Sequence, residues 1–365
     1  MKIMEQYDTM LVLSYEKYNH LAITLLDSKV LTKEIGSSPI AKIFIRVRKK
    51  IYAFVRNKDR GKTMKRIVSI SLGSSVRDHV VEFDLLDMPC RVERIGTNGN
   101  IQKMIDLITE LDGQVDAFGL GGINLNFHVG TKRFTMHQAK QIVTAAKKTP
   151  IVDGSGLKGK LEGKVVQYLQ RETDLLAGAP TVLMMSGVDR FGMSQALEAA
   201  NCNITFGDLA FTIGLPIPIH SLRSLNRLAY ILLPLLCRLP FSLIYPTGKK
   251  QEENKPKVSY LFDEATIIAG DYHFISRYMP GKMLGKVILT NTTTAKDVEL
   301  LRQRGVKTLI TTTPSLNGRS FGVNVMEALL VALSGQGREL TEAEYDELLV
   351  KTNFIPQILE LNEVD

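Results

Sequence analysis

Five polar segments stand where an apolar, strand-like run breaks off. They are SGVDRFG (186–192), FGDL (206–209), AGDYH (269–273), TNTTT (290–294) and TTTPSLNGRSFG (311–322). In an open parallel sheet, ligands bind outside the carboxyl ends of the strands, where helix N-termini present unpaired N–H groups. Loops of this composition at such places are expected to hold a phosphate, a ribose or another hydroxylated group. In the first, Gly187 and Gly192 allow close backbone approach, Asp189 can cap the following helix, and Arg190 can meet a phosphate or carboxylate in a forked contact. The glycine spacing is G-x-x-x-x-G without the following lysine of a phosphate loop, and it is not a GxGxxG turn.

Asp208 and Asp271 each follow a glycine at a strand end. An acid there can take ribose hydroxyls, hold a metal or act as a base. His273 lies two residues beyond Asp271, and the two form the expected acid–base pair; helix capping is the plainer role for either aspartate. The two threonine clusters end successive strands and should lie side by side. Asn291, Thr292, Thr293 and Thr312, with Arg319, Ser320 and Asn324, are then expected to line a polar cleft for phosphate or ribose. Upstream, SLGSS with Arg77, Asp78 and His79, GLGG (119–122) and DGSGLK (153–158) form a second set. From it Ser74, Asp153, Ser155 and Lys158 are expected to contact a substrate. No Ser–His–Asp set, nucleophile elbow or His/Cys metal box is visible, and no metal is expected.

The elements that must position these groups alternate. Strand-like runs at 67–72, 80–86, 115–120 and 150–152 are interleaved with helical patterns at 101–111, 136–148 and 161–171, and 125–134 resembles a hairpin. After a linker at Ala177-Gly178-Ala179-Pro180, strands at 181–185, 204–206, 265–269, 286–289 and 307–310 alternate with helices at 193–200, 295–304 and 323–333. Helices at 341–350 and 354–361 should close the chain. The apolar run from Leu228 to Tyr245 contains Pro234, Arg238 and Pro240 and reads as a buried helix with an irregular turn, too interrupted to span a bilayer. The expected fold is α/β, with two domains of strand–helix units at 64–178 and 179–335. The second should be a Rossmann-like doubly wound parallel sheet, followed by a C-terminal helical tail over 336–365.

A length of 365 residues suits about two domains, and 44% hydrophobic with 23% charged residues is ordinary globular composition. The net charge of +8 is local: from Lys42 to Arg66 eleven Lys or Arg face the single acid Asp59, so the remainder is near neutral. That excludes a global nucleic-acid surface and confines any such contact to the segment 42–66, inside an N-terminal appendage of residues 1–63 with strand-like runs at 10–14 and 21–26. Three well-separated cysteines, Cys90, Cys202 and Cys237, suit a reducing, cytoplasmic setting, and no secretory signal is visible.

From Met64 onward the chain resembles an uncharacterised bacterial family commonly labelled quinate 5-dehydrogenase. The resemblance is carried by SLGSS, FGLGG, DGSGLK, DRFGM, GDL, YPTG, GDYHFISRYMP, TNTTT and GRSFGVNVMEA. It implies nicotinamide-dependent oxidation of a ring hydroxyl of quinate, a cyclohexane carboxylate. The studied shikimate and quinate dehydrogenases carry a Gly-rich dinucleotide turn and a Lys–Asp catalytic pair; this chain has no clear GxGxxG, and Lys158 and Asp153 are not matched to that pair. The expected function is an NAD(P)-dependent oxidoreductase acting on a small polar hydroxy acid, with NAD or NADP across the 181–324 strand ends. The alternatives are a non-catalytic nucleotide-binding module and a transferase using a phosphorylated donor. The sequence does not set the oligomeric state.

Overall fold

Short runs rich in Val, Ile, Leu and Phe, most of them closed by a glycine, a hydroxyl residue or an aspartate, become the strands of two largely parallel sheets. The structure, a computed structural model, describes residues 63–130, 132–240, 254–316 and 319–363, and for 315–316 and 319–320 the backbone alone. The expectations for residues 1–62, including nearly all of the basic segment, and for YPTG lie outside the described residues, as do the side chains of Arg319 and Ser320. Met64–Asp365 is one unit by its internal contacts.

The first half runs β1 (Lys65–Ser71), β2 (His79–Leu85), β3 (Met88–Gly96), α1 (Ile101–Leu111), β4 (Ala117–Gly121), a hairpin of β5 (Asn126–Val129) and β6 (Lys132–Thr135), α2 (His137–Val143) and β7 (Ile151–Val152). Its sheet has the order β2-β3-β1-β4-β7, parallel apart from the β2–β3 pair. The long helix α3 (Ser155–Glu172) then leads to β8 (Thr181–Met184), α4 (Phe191–Ala199), β9 (Asn203–Phe206), a π-helical turn at Leu209–Ile213, and α5 (Leu222–Leu236). The chain continues through α6 (Ser259–Glu264), β10 (Ile267–Ala269), α7 (Tyr272–Tyr278), β11 (Val287–Thr290), α8 (Ala295–Gln303) and β12 (Thr308–Thr311). A two-residue ladder follows, β13 (Ser315–Leu316) with β14 (Arg319–Ser320), then α9 (Val323–Ser334), α10 (Glu342–Thr352) and β15 (Gln357–Glu360).

The second sheet has the order β15-β12-β11-β10-β8-β9, with β15 alone antiparallel. Its strands are buried on both faces. Leu183, Ile268, Ile288 and Leu309 face one core with α6, α7 and α8, while Met184, Ala269, Leu289 and Ile310 face the other with α3 and α4. That period-two split of near-continuous apolar runs is what a doubly covered parallel sheet demands. The fold is α/β with a Rossmann-like, doubly wound second sheet.

Three expectations need correction. Helix α9, VNVMEALLVALS, buries nine of its twelve residues, eight apolar and Glu327, so it cannot lie on a surface. It leaves the second sheet and packs on the first, beside β1, β7, α3 and the Tyr345 and Leu349 of α10. The range 179–335 therefore does not close on itself. Second, the expected helix at 354–361 is the strand β15: Asn353 ends α10 in a left-handed conformation (φ 45°), and Gln357–Glu360 then completes the open edge of β12. Third, α5 is not a buried helix. It covers only Leu225, Ala229 and Leu233, while Ile231 and Leu235 are 73% and 62% exposed. No helix among the described residues is long and apolar enough to cross a membrane.

Candidate functional site

Parallel strands point their carboxyl ends one way, and in this chain the ends of both sheets open on a common cavity of about 560 Å³. Ser71 and Gly121 reach it from β1 and β4, and Asp153 from just after β7. Ser186, Asp208, Asp271 and Asn291 reach it from the ends of β8, β9, β10 and β11. The first turn of α9, Gly322–Val325, crosses between the two groups. The glycine of DGSG is required there: Gly154 has φ +95°, and a Cβ on it would stand 2.8 Å from the backbone nitrogen of Asn324. Asn324 in turn donates from Nδ2 to Ser69 Oγ at 3.0 Å, fixing α9 against β1.

The polar wall is a charged network. Lys158 Nζ donates to Asp189 Oδ1 at 3.1 Å, and Asn124 Nδ2 donates to the same oxygen. Arg190, 3% exposed, donates to Glu162 and, through Nη2, to Asp271 Oδ2 at 3.0 Å. Asn291 Nδ2 donates to that Asp271 oxygen at 2.8 Å, while Asp271 Oδ1 accepts the His273 N–H at 2.9 Å and so caps α7. Arg77 closes the far side, donating to His273 Nε2 at 3.1 Å and to Asp297 at 3.2 Å. Two buried polar atoms in this wall, Ser186 Oγ and Arg190 Nε, have no hydrogen-bond partner.

Electrostatics follow from these contacts. Burial alone would raise Asp271, but the Arg190 guanidinium, the capped His273 N–H and Lys158 outweigh it and hold the carboxyl well below the usual carboxylate range. Asp189 is likewise lowered, burial being overcome by Lys158 and Arg190. Burial would lower Arg190, but Glu162, Asp189 and Asp271 reverse it, and the guanidinium stays protonated. Asp208 goes the other way: burial pushes it up to about 6, against the N–H bonds from Val188 and Gly187. His273 is lowered, chiefly by burial. Because an arginine can only donate, its bond to Nε2 requires that nitrogen to be unprotonated, and the ring is neutral.

The cavity gathers Ser74, Asp153, Lys158, Asp189, Arg190, Asp208, Asp271, His273, Asn291, Thr292 and Thr293 from the residues singled out in the sequence. Several serve the scaffold as well. Asp153 accepts the N–H groups of Leu125, Asn126 and Ser155. Asp271 and His273 are joined through the helix cap rather than side chain to side chain, and a carboxyl held well below the usual range is a weak base at neutral pH. Gly187, Gly192, Ser155 and Thr312 lie outside the lining. A Cβ on Gly187 would strike Phe206 and Leu225, and one on Gly192 would strike the backbone of Gly159, so both serve packing. The two threonine clusters do stand side by side, Thr290 beside Thr311 in register, with Thr313 Oγ1 donating to Asn291 O at 3.0 Å. Thr294 does not face a ligand alone: it forms a capping box with Asp297 on α8.

Sequence reasoning missed Glu162, Asn124 and the partnership of Lys158 with Asp189. Glu162 was detectable: it sits on the stripe Leu157, Leu161, Val165, Val166, Leu169 of α3, where an acid must find a cation. The opposite wall of the cavity, also missed, is apolar and comes from α5, the turn at 209–213 and α7.

Among solved structures, the chain is similar to a periplasmic solute-binding protein of an ABC transporter from Actinobacillus succinogenes 130z with bound D-allose. Identity is 11%, the match covers 81% of this chain and 97% of that one, and the TM-score is 0.33. It is similar also to GanP, a glucose-galactose binding protein from Geobacillus stearothermophilus (10% identity, 83% and 99% covered, TM-score 0.34). L-tryptophan dehydrogenase from Nostoc punctiforme gives 12% identity, 80% coverage of each chain and a TM-score of 0.32. At these scores the likenesses bear on neither ligand nor reaction. No curated protein matches. Residues 66–153 match the model described as domain of unknown function DUF8753, and the boundary with the next match falls at the β7–α3 junction. That next match, over residues 156–361 and so more than half of the chain, is to the domain of unknown function DUF8754, and the chain belongs to this family.

Proposed function

We propose that the cleft binds a small hydroxylated organic anion and that Lys158, held in place by Asp189, handles the proton of one of its hydroxyls. The observation that carries this reading is the pair itself: a lysine from α3 and an aspartate from the β8–α4 turn meet at 3.1 Å in the wall of the cavity that the orphaned Ser186 hydroxyl also lines. Carboxylates and amides accept and donate to hydroxyls, Arg77 and Lys158 supply positive charge, and the α9 N-terminus adds N–H groups. A positioned ammonium beside a carboxylate is a general device for moving a hydroxyl proton. Quinate, which the sequence resemblance suggests, combines ring hydroxyls with a carboxylate and is the first compound to try.

A nicotinamide-dependent dehydrogenase is the finer form of this reading. It is favoured by Asp208 at the end of β9, the strand beside β8, where an acid can take ribose hydroxyls, while the order β9-β8-β10-β11-β12 is a general doubly wound order and not the 3-2-1-4-5-6 order of dinucleotide-binding sheets. It has an obstacle: Asp208 already accepts the N–H groups of Gly187 and Val188, the donors that a pyrophosphate at this turn would need. NAD or NADP can bind there only if Asp208 lets go.

Thermal unfolding of the chain with quinate, NAD or NADP tests both forms. A ligand at a hundred times its dissociation constant adds about 2.7 kcal/mol, roughly 4 °C for a protein of this size. A shift with quinate supports the cleft reading, and a further shift with NAD or NADP supports the dehydrogenase. No shift with quinate, and none with related hydroxy acids or sugar acids, removes the proposal.

A further inference from the structure

The cavity is two-sided, and a small hydroxylated anion would use only one side. Helix α5 carries three parallel apolar stripes at a spacing of four residues, two of three residues and one of two. Leu225, Ala229 and Leu233 are buried, and Ile231 and Leu235 point outward. The third stripe, Leu228, Leu232 and Leu236, is half-buried and lines the cavity, joined by Leu209 and Phe274 from the facing elements. Eight residues at 1.5 Å rise make this an apolar strip about 12 Å long. It is continuous with the charged wall, since the same cavity touches Leu232 and Asp189. A cavity of about 560 Å³ is on the scale of a drug-sized molecule, larger than a single-ring hydroxy acid such as quinate fills.

The geometry points to an amphiphilic ligand: an anionic, hydroxylated head against Lys158, Asp189 and Arg77, and a hydrocarbon tail lying along Leu228, Leu232 and Leu236. This rests on the proposed reading of the charged wall and extends it to the substrate class. The orphaned Ser186 Oγ, on a residue 96% buried, marks where the head has a bond to make, while Arg190 Nε faces Asp189 Oδ2 at 3.5 Å. Nothing in a purely polar ligand would cover the leucine strip, and water against it is unfavourable.

The test is calorimetric titration of the full chain with inorganic phosphate and with n-butyl, n-hexyl and n-octyl phosphate, each below its micelle concentration. The inference predicts that affinity climbs roughly threefold to fourfold per methylene, until the chain spans the strip. Leu232→Gln should flatten that climb, and Leu232→Trp, which fills the strip, should stop it at a shorter chain. Unfolding of the unliganded variants checks that each is folded. Lys158→Met should weaken octyl phosphate and inorganic phosphate alike. Affinity independent of chain length overturns the tail while leaving the head reading in place. A climb that survives both Leu232 variants, or is untouched by Lys158→Met, places the chain elsewhere and overturns the inference. Absence of binding by every compound, quinate included, removes the head reading with it.

Discussion

Replacing Arg190 by methionine removes the guanidinium that Glu162 and Asp271 share and that lies beside Asp189. Glu162 is fully buried and would be left with one oxygen lacking the pair and the other already without a partner. Breaking a buried pair by removing one member costs about 3–5 kcal/mol, because the stranded charge cannot reach water. Unfolding entropy near 2.1 cal/mol/K per residue, over the roughly 300 residues of Met64–Asp365, gives about 0.6 kcal/mol per degree, so Tm should fall by about 5–8 °C. Adding Glu162→Gln removes the stranded charge and should recover about 2–5 °C of this, a coupling of about 1–3 kcal/mol. The loss should also depend on pH. Without Arg190 the folded-state pKa of Glu162 rises further above its unfolded value, so folding favours the protonated form and stability is lost as pH rises through the folded value. The variant is then weakest at alkaline pH and closest to the parent near pH 5. Differential scanning calorimetry of the parent, both single variants and the double variant reads this directly. A Tm within about 1 °C of the parent for Arg190→Met, or a double variant whose loss equals the sum of the singles, refutes the reasoning.

Glu327 is buried beneath the start of α3, accepts Tyr345 OH at 2.6 Å, and is pushed by burial, then by Asp153, up to about 8. Between its ordinary value of 4.5 and that value the folded protein holds a proton that the unfolded chain has released, so stability should fall with rising pH across that window, by a few kcal/mol in all, at about 1.4 kcal/mol per unit. Glu327→Gln should flatten this slope in urea midpoints measured from pH 5 to 8; an unchanged slope contradicts the assignment. Gly192→Ala should cost about 1–3 kcal/mol by driving α4 off the Gly159 backbone of α3, and an unshifted urea midpoint would mean that the two helices part freely.

How much of this was legible varies with the kind of signal. The strand-end loops were visible because glycine, threonine and aspartate punctuate apolar runs, and most of them do line one cavity. Their partnerships were not, since Lys158 and Asp189, or Arg190 and Glu162, are about thirty residues apart and meet only when α3 packs against α4. Strand β3 was hidden by its charges: Arg91, Glu93 and Arg94 alternate with Val92 and Ile95, and their ion pairs with Glu82, Arg66 and Asp78 exist only in the sheet. Helix α7 was missed because Tyr-His-Phe-Ile-Ser-Arg-Tyr has little intrinsic helix preference; the Asp271 cap and the burial of Tyr272, Ile275 and Tyr278 make it. Three stripes on α5 read as one apolar run until neighbours distinguish them, which is why the helix looked buried. The packing of α9 on the first sheet could not be read from strand order at all.

Hydrogen exchange of the chain with and without saturating quinate tests the central claim most directly, because a cleft ligand must touch the strand ends of both sheets at once. The account predicts slowed exchange together at Gly73–Ser74 after β1, Asn291–Thr293 after β11 and Asn324 at the start of α9. Protection confined to one sheet, or none at a quinate concentration that raises Tm, would contradict it.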